Sequence, residues 1–191
     1  IGLCGVPENE SGFEIKLVKS YFREEHFLDE KNGWRLLSGS NITTIQNTKD
    51  GGINWQDLAS LKMVLRAIHF INEQKGWCVG NEAIITTNDG GASWTDQTPN
   101  GLNNTLRGVY FLDEFYGWVV GEKIVLSTKD GGKNWTDKTP KDLQAIAYGV
   151  YFSDKNHGWV ESSDSKTFIT ENGGDRWKII IGSIYRRNPI L

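Results

Sequence analysis

Two tryptophan columns repeat down this chain at nearly constant intervals, and they constrain the fold more than any other feature. Gly-Trp pairs stand at Gly33-Trp34, Gly76-Trp77, Gly117-Trp118 and Gly158-Trp159, 41 to 43 residues apart. Each is followed by a near-copy of one box: TKDGGINW (48–55), TNDGGASW (87–94), TKDGGKNW (128–135) and TENGGDRW (170–177). Together the two columns account for all eight tryptophans. A period of about 40 to 45 residues is the length of one propeller blade, a unit that buries its faces only by stacking on its neighbours.

Within each period, short β segments alternate with turn residues. The second copy reads LRAIHF, GWCVG, AIITT and SWTDQT, with NEQK and NDGGA between them. No helical spacing of apolar residues is sustained. The pattern predicts an all-β chain, a β-propeller with four visible four-stranded antiparallel blades forming one domain over 1–191. The blades fall at about 22–60, 61–101, 102–144 and 145–183, and FEIKLVKS (13–20) reads as an additional outer strand. A net charge of −3 gives no global basic field for nucleic acid, and no apolar run approaches the roughly 18 residues of a membrane helix. Two cysteines, Cys4 and Cys78, permit at most one disulfide.

The boxes read as joints. A tight reversal between strands needs residues that accept positive φ and side chains that bond nearby amides. The paired glycines supply the first, and Thr48 with Asp50, Thr87 with Asp89 and Thr128 with Asp130 supply the second. The fourth box has Asn172 in place of the aspartate. An amide oxygen serves the same turn bond, whereas a catalytic carboxylate or metal ligand would not be exchanged so cheaply. By that reasoning Asp89→Asn should be nearly silent. The box tryptophans Trp55, Trp94, Trp135 and Trp177 then cover the hairpins, and loss of one, Trp94→Ala, is expected to cost about 3–5 kcal/mol.

The TxDGGxxW boxes resemble the Asp-box, or bacterial neuraminidase, repeat. The larger unit, an HF or YF pair followed by GWxVG and ITTxDGGxxW, resembles the photosystem II stability and assembly-factor propellers. The resemblance covers about 160 residues in four copies. It implies a non-enzymatic scaffold in an extracytoplasmic compartment, periplasmic, lumenal or secreted, that holds a protein partner through an arginine-rich patch. That family usually closes with more blades than the four visible here. The chain therefore closes as a small ring, forms part of a larger one, or shares a ring with a second chain.

The histidines and cysteines read as scaffold. His26 and His69 stand seven residues before their glycines, where Tyr110 and Tyr151 stand in the later copies. That exchange suits a packed aromatic with a polar tip, and HxxxH, HExxH and CxxC spacings are absent. GxSxG is also absent, and Cys78 occupies a column otherwise filled by Arg35, Val119 and Val160. The reading names no catalytic residue, no metal site and no cofactor. The alternative is a sialidase-like glycoside hydrolase or glycan-binding propeller, but that family's arginine triad with its Tyr and Glu partners has no match here.

One column departs from scaffold logic. Ten residues before each Gly-Trp glycine stand Arg23, Arg66, Arg107 and Tyr148. Three of the seven arginines thus share one register. The position opens the first strand of each blade, which in a propeller lines the channel. The reading assigns Arg23, Arg66, Arg107 and Tyr148 to partner binding at one mouth of the channel. The partner it predicts is a protein or peptide with an acidic or carboxylate group. Arg23, Arg66 and Arg107 are also the positions that match the family's arginine patch. The opposite mouth carries acidic turns at Asp29-Glu30, Glu73 and Asp113-Glu114. The competing role for each arginine is an ion pair with a neighbouring blade.

Overall fold

The computed structural model describes residues 22–181, with side chains from residue 24 onward. The FEIKLVKS segment and Cys4 lie outside the described residues. Sixteen strands form four separate antiparallel sheets, each running in chain order from inner to outer strand. The first sheet contains β1 (Phe22–Phe27), β2 (Gly33–Ser38), β3 (Thr43–Thr48) and β4 (Gln56–Leu61). The second contains β5 (Leu65–Phe70), β6 (Gly76–Gly80), β7 (Ala83–Thr87) and β8 (Thr95–Asp96). The third is built from β9 (Leu106–Phe111), β10 (Gly117–Gly121), β11 (Ile124–Thr128) and β12 (Thr136–Asp137). The fourth is built from β13 (Ala147–Phe152), β14 (Gly158–Ser162), β15 (Lys166–Thr170) and β16 (Lys178–Ile181). The segments LRAIHF, GWCVG and AIITT are β5, β6 and β7, while SWTDQT contributes only the two-residue β8.

The inner strands pack in series, β1 on β5, β5 on β9 and β9 on β13, and among the described residues no comparable packing joins the first sheet to the fourth. The four sheets form an open arc of propeller blades, so the small closed ring is not what these blades make. Three apolar cores fill the three spaces between them. The first joins Trp34, Leu36 and Ile45 to Leu65, Ile68 and Phe70 of the next blade. The second joins Trp77, Val79 and Ile84 to Leu106, Val109 and Phe111. The third joins Val120 and Val125 to Ala147, Val160 and Phe168. At each joint a Gly-Trp indole lies flat on the phenylalanine that ends the next blade's first strand. These pairs are Trp34 on Phe70 at 3.9 Å, Trp77 on Phe111 at 3.5 Å and Trp118 on Phe152 at 3.5 Å between ring centroids.

The boxes are the β3–β4, β7–β8, β11–β12 and β15–β16 turns. In the second blade, Thr87 Oγ1 accepts from Gly91 N (2.9 Å) and donates to Asp89 Oδ1 (2.8 Å), and Asp89 accepts from Ser93 N (2.9 Å). The fourth blade repeats this through Asn172 Oδ1, which accepts from Thr170 Oγ1 (3.0 Å) and Arg176 N (2.8 Å). Asn172 therefore keeps the joint. Each aspartate also takes a side-chain bond on its second oxygen, from Asn54, Ser93 or Asn134, and Arg176 stands at that place in the fourth box. The first box glycine has positive φ and lies against the neighbouring turn: a Cβ on Gly131 would sit 2.6 Å from the Glu114 carbonyl oxygen. Only glycine fits there.

The box tryptophans are half-buried, whereas Trp34, Trp77 and Trp118 are almost wholly buried. Trp55 and Trp94 bond the carbonyls of their own Gly52 and Gly91, while Trp135 and Trp177 reach back to Gln97 and Lys138 of the preceding blade. The 3–5 kcal/mol expected of Trp94 therefore belongs to the Gly-Trp column, where removal opens a dry cavity.

The His/Tyr column forms an inner row. Successive ring centroids lie 4.7 Å apart for His26 and His69, 5.0 Å for His69 and Tyr110, and 5.1 Å for Tyr110 and Tyr151. Each histidine Nε2 bonds the next blade's chain, at Phe70 O (2.9 Å) and Phe111 O (3.0 Å). Burial, helped by the neighbouring His26 charge, lowers His69 to about 4, and burial also lowers His26. The unfolded chain protonates near 6.5, so it holds more protons than the folded chain between pH 6.5 and 4, and stability falls with pH across that window. The His69 shift alone is worth on the order of 3 kcal/mol. His69→Tyr, with the residue found at this place in the later blades, is expected to flatten the stability–pH curve between 6.5 and 4. Urea unfolding at stepped pH checks this, and an unchanged slope contradicts it. The box aspartates act below that window: hydrogen bonds from Ser93 and Thr87 hold Asp89 at about 2. Their contribution is present above the usual carboxylate range and is lost as pH falls toward 2.

Cys78 is fully buried on β6, and burial pushes its thiol well above the ordinary range.

Candidate partner-binding site

The arginine column sits on a structural irregularity that strand propensity does not reveal. In the second blade Leu65 pairs with Gly80 and Ala67 with Val79, so Arg66 is an extra residue opposite no partner. The third blade repeats this, with Leu106 opposite Gly121, Gly108 opposite Val120 and Arg107 between. In the fourth, Ala147 faces Ser162, Gly149 faces Glu161, and Tyr148 is the extra residue. A bulge of this kind kinks the strand and re-aims its side chain, and bulges gather at the rims of barrels and beside functional sites.

Glycines make room for it. A Cβ on Gly80 would lie 2.0 Å from the Val64 carbonyl oxygen, and one on Gly121 would lie 2.2 Å from that of Thr105. The first blade has Leu37 at this place and no bulge: Arg23 of β1 pairs directly with Leu37 of β2. Arg23 thus leaves the register of the other three, and its side chain lies outside the described residues.

Backbone bridges join the rim from blade to blade, Asn81 to Thr105 and Glu122 to Ile146. Arg66, Asn81, Arg107, Glu122, Ile146 and Tyr148 therefore follow one another along one edge of the arc. Arg66 Nε donates to Asn81 Oδ1 at 2.9 Å. Arg107 Nη2 meets Glu122 Oε1 at 3.0 Å, with the two side chains 32% and 44% exposed. Both partners belong to the arginine's own blade, so neither arginine serves as an ion pair between blades. Burial and the nearby Arg107 charge draw Arg66 below its ordinary value, and Glu122 opposes them. The two guanidinium groups thus feel each other across the joint, and one carboxylate partly offsets them. Ile146 (36% exposed) and Tyr148 (48%) add apolar surface beside them.

Glu122, Asn81 and Ile146 are rim residues that the sequence pattern did not single out. The signal for Asn81 and Glu122 was the glycine four residues after the second and third Gly-Trp glycines, Gly80 and Gly121, which accompanies the bulge in those two blades. At the other end of the blades the acidic turns cap themselves. Asp29 accepts from Lys31 N and Asn32 N at 2.7 Å, and Asp113 from Phe115 N and Tyr116 N at 2.8 Å. Among the described residues, no group of three or more His, Cys, Asp or Glu side chains is gathered to hold a metal ion, and no helix is long and apolar enough to cross a membrane.

Four Trp-stacked sheets, Asp-box turns and a bulged rim define a propeller built from Asp-box repeats. The family model for photosynthesis system II assembly factor YCF48 matches residues 57–142, the central repeats. Among solved structures, YCF48 bound to D1 peptide superposes with a TM-score of 0.66 at 24% identity, over 87% of this chain and 57% of that one. YCF48 from Cyanidioschyzon merolae gives 0.65 at 18% identity, over 88% and 58%. An ancestral GH74 enzyme gives 0.63 at 16%, over 79% and 23%. These likenesses show the fold, and the chain spans less than two thirds of either YCF48 structure. No curated protein matches the sequence. The chain is similar to the photosystem II assembly-factor propellers, as its repeat unit implies.

Proposed function

We propose that this chain is a non-enzymatic binding scaffold that holds an extended, carboxylate-bearing peptide segment of a protein partner along the rim of Arg66, Arg107 and Tyr148, in an extracytoplasmic compartment. The observation that carries the reading is the repeated bulge, which brings two arginines and a tyrosine to the same place at the head of three consecutive inner strands. Two cationic forks at one edge suit a carboxylate-bearing chain, since guanidinium–carboxylate contacts are charge-assisted and directional. Ile146 and Tyr148 offer the peptide's apolar groups a surface. The structure of YCF48 bound to D1 peptide supports the reading, being a propeller of the same kind that holds a peptide. Arg23 belongs to the proposed patch by sequence register alone.

Glu122 supplies the test. Its carboxylate holds Arg107 and competes with any incoming anion. Glu122→Gln is expected to tighten binding of an acidic peptide about threefold, the scale of one partly exposed ion pair. Rising salt is expected to weaken that binding. Fluorescence anisotropy with a labelled acidic peptide at two ionic strengths reads both effects. Binding that ignores salt and is unchanged in Glu122→Gln overturns the assignment.

A further inference from the structure

The fourth blade departs from the repeat at the two places where the others set a carboxylate beside a joint. Three residues before its Gly-Trp glycine it has Lys155, where the earlier blades have Glu30, Glu73 and Glu114, and in its box it has Asn172, where they have Asp50, Asp89 and Asp130. Both residues line the cleft between the third and fourth blades at the box end of the joint, a space of about 490 Å³. The corresponding clefts of the first two joints are lined by Glu73 with Asp89 and by Glu114 with Asp130. Lys138 lines the third cleft at the place of Leu58 and Gln97, and Lys129 adds a third ammonium. Of the two carboxylates that remain there, Asp175 is paired with Lys138, and Glu171 with Lys178 at 3.0 Å. The third cleft is therefore cationic where the other two are acidic.

The indole of this joint differs in the same direction. Trp34 donates to Gly90 O at 2.8 Å and Trp77 to Gly131 O at 3.3 Å, each to the first box glycine of the next blade. Trp118 stacks on Phe152 and is 2% exposed, yet among the described residues its Nε1 has no hydrogen-bond partner, Gly173 O included. Trp118 and Gly173 both line the cleft. A buried donor is rarely left without an acceptor, so the third joint calls for one that the other two do not need. Asn172 Oδ1 is already taken by Thr170 Oγ1 and Arg176 N, which leaves its amide N–H groups as further donors.

We propose that the third joint is a phosphate site, taking a phosphate group, free or on a small ester, between Lys129, Lys155, Asn172 and the Trp118 indole. The donors come singly and from two blades. A planar carboxylate with two oxygens suits a guanidinium fork, whereas a phosphate offers at least three acceptor oxygens and takes ammonium groups as point charges. The box turn tolerates asparagine, and the cleft uses the charge that asparagine removes. The site lies at the opposite end of the blades from Arg66 and Arg107 and does not depend on what they bind.

The test is a titration of the chain with inorganic phosphate and, separately, with glycerol 3-phosphate, followed by phosphorus NMR at constant ionic strength set with sodium chloride. Saturable binding at one site is expected, from the free ion if inorganic phosphate suffices and from an ester if only glycerol 3-phosphate saturates. Lys155→Glu/Asn172→Asp gives the fourth blade the residues of the other three, so its urea midpoint should stay close to that of the wild type while binding weakens by at least tenfold. Lys155→Gln, which removes one charge and adds none, is expected to weaken binding less. Arg66→Glu/Arg107→Glu is expected to bind phosphate as the wild type does. Absence of saturable binding of either compound overturns the proposal, as does equal binding by Lys155→Glu/Asn172→Asp and by Lys155→Gln to that of the wild type. Loss of binding in the arginine variant alone also overturns it, by placing the anion on the rim.

Discussion

Trp77→Ala is expected to lower the unfolding free energy by about 3–5 kcal/mol, the range for a large aromatic deleted from a packed interior. Trp77 is fully buried, stacked on Phe111 at 3.5 Å, and its indole N–H reaches Gly131 O in the next blade. The Lys75 ammonium lies 4.9 Å from the ring centroid. The deletion therefore removes a stack, a hydrogen bond between blades and a cation–π contact at once. Because blades are stabilised chiefly by their neighbours, the second and third sheets should loosen together. Trp94→Ala is the control: its indole bonds its own turn and only edges onto Phe70 at 6.2 Å, so the loss there should be clearly smaller. Urea midpoints of the two variants check the ranking, and equal losses contradict it.

Gly121→Ala is expected to cost about 3 kcal/mol or more, at the upper end of overpacking penalties. The new methyl would sit 2.2 Å from the Thr105 carbonyl oxygen and 2.7 Å from Leu106 Cα, both backbone atoms that no rotamer change can move. The strand pair would have to part, and the bulge that carries Arg107 would go with it. Stability and peptide binding should fall together in this variant. The fourth blade accommodates Ser162 at the same place, but its following turn has three residues, 163–165, where the second and third blades have two. A thermal melt and an anisotropy titration of Gly121→Ala test the coupling. Normal stability with normal binding shows that the bulge does not need the glycine.

The fold was legible because the repeat is carried by residues with few alternatives. Tryptophan at two fixed places and paired glycines in positive φ specify stacked hairpin sheets almost without regard to what lies between. The Asn172 exchange was readable as a turn acceptor because its amide oxygen has the same reach as the carboxylate it replaces. What was not legible depended on register. The two tryptophan columns look alike in sequence, yet one is sealed between blades and the other lies half-open over a turn. The arginine column counts the same distance from every Gly-Trp pair, but pairing is continuous through Arg23 and skips Arg66 and Arg107. Leu37 stands on the facing strand of the unbulged blade, where the bulged blades have Gly80, Gly121 and Ser162. The Arg107–Glu122 pair was hidden because it joins residues fifteen apart across that bulge.

The most direct test of the proposed peptide-binding rim is the affinity of an acidic peptide for the double variant Arg66→Glu/Arg107→Glu, measured beside its melting temperature. Both arginines are partly exposed and bonded within their own blades, so reversing them should leave the melting temperature nearly unchanged. Binding should weaken by at least tenfold, about 1.4 kcal/mol. Unaltered affinity, or a large fall in melting temperature with no specific loss of binding, would show that these arginines hold the blades rather than a partner.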